Sequence, residues 1–209
     1  GSGALTDVGS HLVDLAEYVS GPLTEISGAR YATAITQRPI PATAPVGHTH
    51  VELTDEYAQV ENEDLATFTG RFASGALGTF SVSRVAHGLP VGLGFELSCS
   101  KGSAAFDFHR SSEFVISDFT PRDGINGHRR VFIGPEHPYI QDGLAMDSPG
   151  VGHGASDLFV FQARSFLDQI AGIEKLPPCP TFRDGLRGLE IEEAIIASAH
   201  TDGAAVKLA

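Results

Sequence analysis

Cysteine is scarce: Cys99 and Cys179 are the only two in 209 residues. No ligand spacing surrounds either, which excludes a zinc ribbon and a multi-bridge disulfide framework. Two thiols suit a reducing cytoplasm, with a single disulfide between them left open. Basic residues are few as well, 14 against 26 acidic, for a net charge of −12. Such a chain repels phosphate backbones, and no basic stripe interleaves with aromatics; nucleic acid and anionic membrane are excluded as partners. No apolar run approaches the roughly 20 residues of a membrane helix, and no signal-peptide pattern is present. Internal repeats and low-complexity tracts are lacking. The sequence opens on Gly1-Ser2, a cloning remnant or a native lead, rather than on methionine. A helical pattern follows almost at once, so the chain reads as the later part of a longer protein.

What the sequence does have starts with Asp7-Val8-Gly9-Ser10-His11-Leu12-Val13-Asp14. Asp7 and His11 are one helical turn apart and share a face, which Asp14 extends. Leu5, Val8, Leu12, Leu15 and Val19 form a separate apolar stripe for packing. A carboxylate beside an imidazole is suited to moving a proton near neutral pH. A helix N-terminus disfavours the imidazolium by roughly 0.3–1 kcal/mol. A carboxylate at about 4 Å favours it by up to roughly 4 kcal/mol at an effective dielectric near 20. In a closed cleft the carboxylate wins; in an open one, screening shrinks both effects. The bland alternative is a solvated helix face carrying an incidental pair worth roughly 0.2–0.5 kcal/mol.

The pattern predicts a first helix over 5–20, ended by Gly21-Pro22, and a strand over 23–35. Residues 38–63, with three prolines and a run of acids, read as a long surface excursion. Strands follow at 65–72 and 77–85 around Ser74-Gly75, and at 94–98 and 104–109 around Lys101-Gly102. Short strands are expected at 114–117 and 130–133, then an irregular stretch over 134–154. A helix over 155–170 shows Phe159, Ala163, Phe166 and Ile170 on one stripe. Thr181-Phe182-Arg183-Asp184 resembles a capping box and opens a last helix reaching about residue 198. Successive hairpins make an antiparallel sheet. The fold class is therefore α+β, mostly antiparallel, with helices packed on one face. The other face is open and calls for a partner subunit or domain as cover.

Three further constellations carry less. Gly150-Val151-Gly152-His153-Gly154-Ala155 fits the letters of the dinucleotide fingerprint and opens a helix. It follows a loop rather than a strand, so it is rejected as a phosphate cradle. A loop carrying His153 towards a substrate and a plain glycine-rich turn both remain open. His48-Thr49-His50 is too sparse to be a metal site. Arg84, near a strand end, could clamp a polar ligand or pair with an acid.

Gly3-Ala4-Leu5-Thr6-Asp7-Val8-Gly9-Ser10-His11-Leu12-Val13-Asp14 closely resembles the substrate-domain helix of the Gfo/Idh/MocA oxidoreductases, whose pattern is G-A-L-x-D-x-G-x-H-x-x-D. Further matches come in order: Glu63-Asp64 leading into a strand, Phe72-Ala73-Ser74-Gly75-Ala76-Leu77-Gly78, Ser83-Arg84, Ser100-Lys101-Gly102-Ser103 and Phe182-Arg183-Asp184-Gly185-Leu186. The resemblance implies a two-domain dehydrogenase acting on a secondary alcohol of a sugar or a polyol such as inositol. Residues 1–209 would form the single C-terminal substrate-binding and dimerisation domain. An N-terminal Rossmann domain, outside this chain, would bind NAD or NADP. The family's nucleotide fingerprint and its Glu-Lys-Pro segment have no counterpart here, so no catalytic lysine is assigned. Asp7 and His11 match the family's catalytic aspartate and histidine. Arg84, His87 and His153 would bind substrate from the loops 84–91 and 150–154. A cytoplasmic homo-oligomer, dimer or tetramer, is implied, using the open sheet face. Two rivals stand beside this: a non-catalytic binding or assembly module of the same fold, and metal-dependent hydrolysis, which would need three or four converging ligands.

Overall fold

The computed structural model describes residues 3–44, 49–120, 127–141 and 144–209. It forms two compact units, one of Gly1–Gly88 with Phe182–Ala209, the other of Leu89–Thr181. The second unit is thus an insertion in the sequence of the first.

In the first unit a π-helical turn, Leu5–Gly9, runs into helix α1, Ser10–Ser20. The helix stops at Gly21, whose φ of 82° suits glycine and whose N–H donates to the Glu17 carbonyl at 2.9 Å. Strand β1 (Leu23–Ala32) follows, then the hairpin of β2 (Gln37–Pro41) and β3 (Leu53–Gln59). Strands β4 (Leu65–Phe72) and β5 (Leu77–Ser83) make a second hairpin around Gly75, which has φ 85°.

The expected surface excursion at 38–63 therefore contains a two-stranded ladder, and β1 ends three residues earlier than the expected strand. A free-standing ladder leaves β2 an edge where Pro39 and Pro41 need no donor. His48 lies outside the described residues, and His50 is exposed.

The second unit contains β6 (Gly94–Cys99), β7 (Gly102–Asp107), β8 (Glu113–Asp118) and β9 (Arg129–Phe132), paired in that order and all antiparallel. Helix α2 (Ala155–Ile170) opens at Gly154, whose N–H donates to Asp157 Oδ2 at 2.8 Å. Its core is Ile140, Met146 and Phe161. The expected core stripe of α2 is on the outside: Phe159, Phe166 and Ile170 are 74, 55 and 68% exposed, while Phe161 and Ser165 are buried. Ser165 Oγ donates to the Pro177 carbonyl at 2.7 Å, which ties the proline-rich segment to that inner face.

The chain then returns to the first unit with helix α3 (Phe182–His200) and strand β10 (Val206–Lys207). The first sheet runs β10-β1-β4-β5, every pair antiparallel. Alternation in β4, and a bulge in β1 between Leu23 and Glu25, put Leu23, Ile26, Phe68 and Phe72 on the face that meets Leu5, Val13, Ile191 and Ile195 from the helices. Each such side chain, once fully buried, contributes roughly 1.5–3 kcal/mol. The opposite face is hydroxyl-rich. Ser27 and Thr69 side chains lie 2.9 Å apart, Thr79 stands opposite Thr69, and Ser81 opposite Thr67. Among the described residues both cysteines are free thiols, and no helix is long and apolar enough to cross a membrane.

Candidate active site

Ala4, at the N-cap of the first helical segment, has no side-chain acceptor to offer the free N–H groups of that end. Glu63, next to the start of β4, supplies both. Its carbonyl accepts from the Ala4 N–H at 2.9 Å, and its Oε1 accepts from the Leu5 N–H at 2.8 Å. A carboxylate hydrogen-bonded at a helix N-terminus is favourable by charge as well as by bonding. A Cβ at position 3 would overlap the Glu63 carboxylate, so a side chain there would displace it.

The π turn changes which residues face inwards. Leu5, Gly9 and Val13 are buried, whereas Val8 is 38% exposed. Val8 was expected on the packing stripe; the wider turn hands that place to Gly9 and Val13. Asp7, His11 and Asp14 are all exposed on the outer side. Ser10 Oγ donates to the Asp7 carbonyl at 3.3 Å. No hydrogen bond or ion pair joins Asp7 to His11 among the described residues.

A cleft of about 820 Å³ opens on the first unit, walled by Thr6, Tyr31, Arg38, Glu63, Arg84 and His200 among others. Thr6 is next to Asp7 in the same turn; Asp7 and His11 are not on the cleft wall. Below the wall sits Asp64, fully buried. Its Oδ2 accepts from the Ala34 and Ile35 N–H groups at 2.8 and 2.7 Å, and its Oδ1 from Arg84 Nε at 2.9 Å. The Ile35 bond first, then Arg84, hold its carboxyl below the usual range, against the effect of burial. Arg84 Nη2 also donates to Asn62 Oδ1 at 3.0 Å. Of the two readings open for Arg84, the structure shows the acid pair, with the side chain still on the cleft wall. Tyr31 places a hydroxyl with no hydrogen-bond partner among the described residues on the same wall. Burial first, then the charges of Glu63 and Glu192, push its pKa to about 12.

His87 is exposed in the loop after β5. His153 belongs to the second unit. Its ring meets Phe161 edge-on at 5.4 Å, and its Nδ1 is buried with no hydrogen-bond partner among the described residues. It lines a pocket of about 370 Å³ with His137, Tyr139, Phe161, Ser165 and Cys179. Asp7, His11, Arg84 and His87 thus share one unit, and His153 is in the other. Among the described residues no group of three His, Cys, Asp or Glu side chains converges as metal ligands would. Gly150 and Gly152 have φ of 90° and 81° in a segment that no strand feeds, so this turn does not fit a dinucleotide cradle. Sequence reasoning missed Glu63, Asp64, Tyr31 and Arg38 as parts of the site. The Glu63-Asp64 dipeptide was visible as a match to a family pattern, with nothing to say what either carboxylate holds.

The profile described as "GFO/IDH/MocA C-terminal domain" matches residues 1–105. A levoglucosan dehydrogenase from Pseudarthrobacter phenanthrenivorans is 30% identical over 200 residues, covering 95% of this chain and 50% of that protein. An oxidoreductase domain protein from Kribbella flavida, of solved structure, superposes with a TM-score of 0.84 at 32% identity, over 100% of this chain and 52% of its own. A levoglucosan dehydrogenase solved with NADH and levoglucosan gives a TM-score of 0.84 at 29% identity, over 100% of this chain and 51% of its own. The chain spans about half the length of the relatives it matches.

Proposed function

This chain belongs to the GFO/IDH/MocA C-terminal domain family, and from that membership we propose that it is the substrate-binding half of an NAD(P)-dependent oxidoreductase. The reaction is oxidation of a secondary alcohol on a sugar or polyol. One observation carries the reading. Asp7 and His11 stand on the outer side of a helix whose inner side, Leu5, Gly9 and Val13, is locked in the core. Two groups able to exchange a proton are thereby offered to whatever packs against that helix.

Removing hydrogen from a carbinol takes away a hydride and a proton. A nicotinamide, when bound, accepts the hydride, and the nucleotide belongs to a Rossmann domain outside these residues. What these side chains supply is the place for the proton. His11 takes or returns it, and Asp7, one turn earlier on the same outer side, orients the imidazole. Hydrogen bonds of this kind are commonly slack before substrate arrives. Arg84 and His87, at and beyond the end of β5, are the substrate contacts we propose in the first unit, and His153 the one we propose in the second. The anhydrosugar and keto sugar bound by relatives, levoglucosan and L-sorbose, are the first compounds to try. The enzyme works as a cytoplasmic homo-oligomer whose contact is the hydroxyl-rich face of the first sheet.

The rival, a non-catalytic module of the same fold, draws on the missing Asp7–His11 bond. The upstream sequence separates the two: a strand-linked G-x-G-x-x-G followed by Glu-Lys-Pro belongs to the enzyme alone. The direct test is His11→Ala in the enzyme carrying its nucleotide domain. Losing a proton-transfer group lowers kcat by about 10²–10⁴-fold. Because His11 is exposed, stability should stay within about 0.5 kcal/mol. Unchanged turnover, or a large drop in melting temperature, would count against the proposal.

A further inference from the structure

We infer that Glu63 is the positioning residue of the helix that carries Asp7 and His11; this rests on the function proposed above. Three observations converge on it. First, the helix start lacks any cap of its own, since Ala4 stands where a Ser, Thr, Asp or Asn would serve. Second, one residue 58 positions away satisfies two successive N–H groups there, with its carbonyl on Ala4 and its carboxylate on Leu5. Third, the chain gives up a side chain at Gly3 so that this carboxylate can approach.

The segment so held is a π turn, a geometry that lasts only where its surroundings impose it. Asp7 lies two residues beyond the bonded Leu5 N–H. The turn has two anchors: Leu5 and Gly9 in the core below, and Glu63 at its mouth. Without the second, the first turn is free to relax to α geometry or fray, which re-aims Asp7 relative to His11. Asp64 extends the device. It holds the 34–35 turn and Arg84 from the adjacent position. One dipeptide at the entry of β4 thus sets the helix with the proton-handling pair and the arginine of the cleft.

The test compares Glu63→Ala, Glu63→Gln and Gly3→Ala in the enzyme with its nucleotide domain. Glutamine keeps an acceptor for the Leu5 N–H, alanine does not, and Gly3→Ala displaces a carboxylate that is still present. Two readouts are taken: hydrogen exchange of the Leu5 amide, with the Ala4 amide, which keeps the Glu63 main-chain carbonyl, as reference, and kcat and KM with NAD and levoglucosan or the best-turned-over polyol. Losing a charge-assisted bond at a turn that aims a reacting group predicts amide exchange faster by about tenfold or more, and kcat lower by about tenfold or more, in Glu63→Ala and Gly3→Ala. KM for NAD should stay within about twofold, and Glu63→Gln should recover most of both losses. Exchange unchanged in Glu63→Ala overturns the inference. So does faster exchange with kcat intact, where Asp7→Ala and His11→Ala in the same enzyme do lower it. If those two substitutions leave kcat intact, the functional reading itself fails, and the amide exchange still reports on the cap separately.

Discussion

Replacing Arg187 with methionine tests how α1 is fastened to the rest of the first unit. Arg187, on α3, donates from Nη2 to Glu17 Oε1 at 3.0 Å and to the Leu23 carbonyl at 2.6 Å. Glu17, in the last turns of α1, also accepts from the Leu23 N–H at 2.7 Å. One ion pair therefore joins both helices to the first residue of β1. The side chains are 22 and 19% exposed, so the pair lies between two limits. Breaking a fully buried pair costs about 3–5 kcal/mol, and losing an exposed one costs about 0–1. Arg187→Met leaves Glu17 mostly buried without its counter-charge, and about 2–3 kcal/mol of stability should go. Glu17→Gln keeps an acceptor for Leu23 and should cost about 1 kcal/mol. The double variant should cost less than the sum of the two, with a coupling of about 1–2 kcal/mol. Urea unfolding measures each as a shift in midpoint at constant slope. Additive losses, or an Arg187→Met effect below about 0.5 kcal/mol, would refute the reasoning.

Two smaller experiments address buried titratable groups. Glu192 on α3 is buried, and desolvation raises its pKa above the ordinary carboxylate value. Its protonated form therefore favours the fold below the unfolded pKa, and that contribution disappears as pH rises through the higher folded one. Glu192→Gln should accordingly raise the melting temperature at pH near 7 and leave it unchanged at pH near 4; equal effects at both pH values would contradict the assignment. Tyr31→Phe removes a hydroxyl that makes no hydrogen bond among the described residues. The melting temperature should hold or rise, and a loss above about 1 kcal/mol would reveal a hidden partner.

The order of elements was legible because its signals are local. Gly21-Pro22 ends a helix, Gly75 takes a left-handed turn, and alternating residues mark β4 and β5. Where the structure departs from expectation, something non-local or ambiguous decides. Prolines disguised β2, although an edge strand accommodates them. Helix α2 is apolar on more than one side, and periodicity alone cannot choose Phe161 over Phe159. The π turn shifts the inner stripe from Val8 to Gly9 and Val13, and Gly9 within it does not by itself announce a wider turn. In the candidate site, Asp7 and His11 were readable from their spacing. Glu63 and Asp64 were not, because their partners are brought to them by tertiary packing: the 34–35 turn by β1 on β4, Arg84 by β5 on β4, and the Ala4 and Leu5 amides by the first helix.

Because the second unit is spliced into the first, the ribosome delivers the main core in two instalments. Leu23, Ile26 and Phe68 emerge early, yet Ile191 and Ile195, which cover them, come only after the whole of Leu89–Thr181. Until then one side of a freshly paired sheet has only Leu5 and Val13 of the opening helix as cover, and the rest is an oily surface open to mispairing and to holdase chaperones. Maturation of this fold is thus gated by its last helix, and lesions in α3 should surface as poor yield sooner than as altered chemistry.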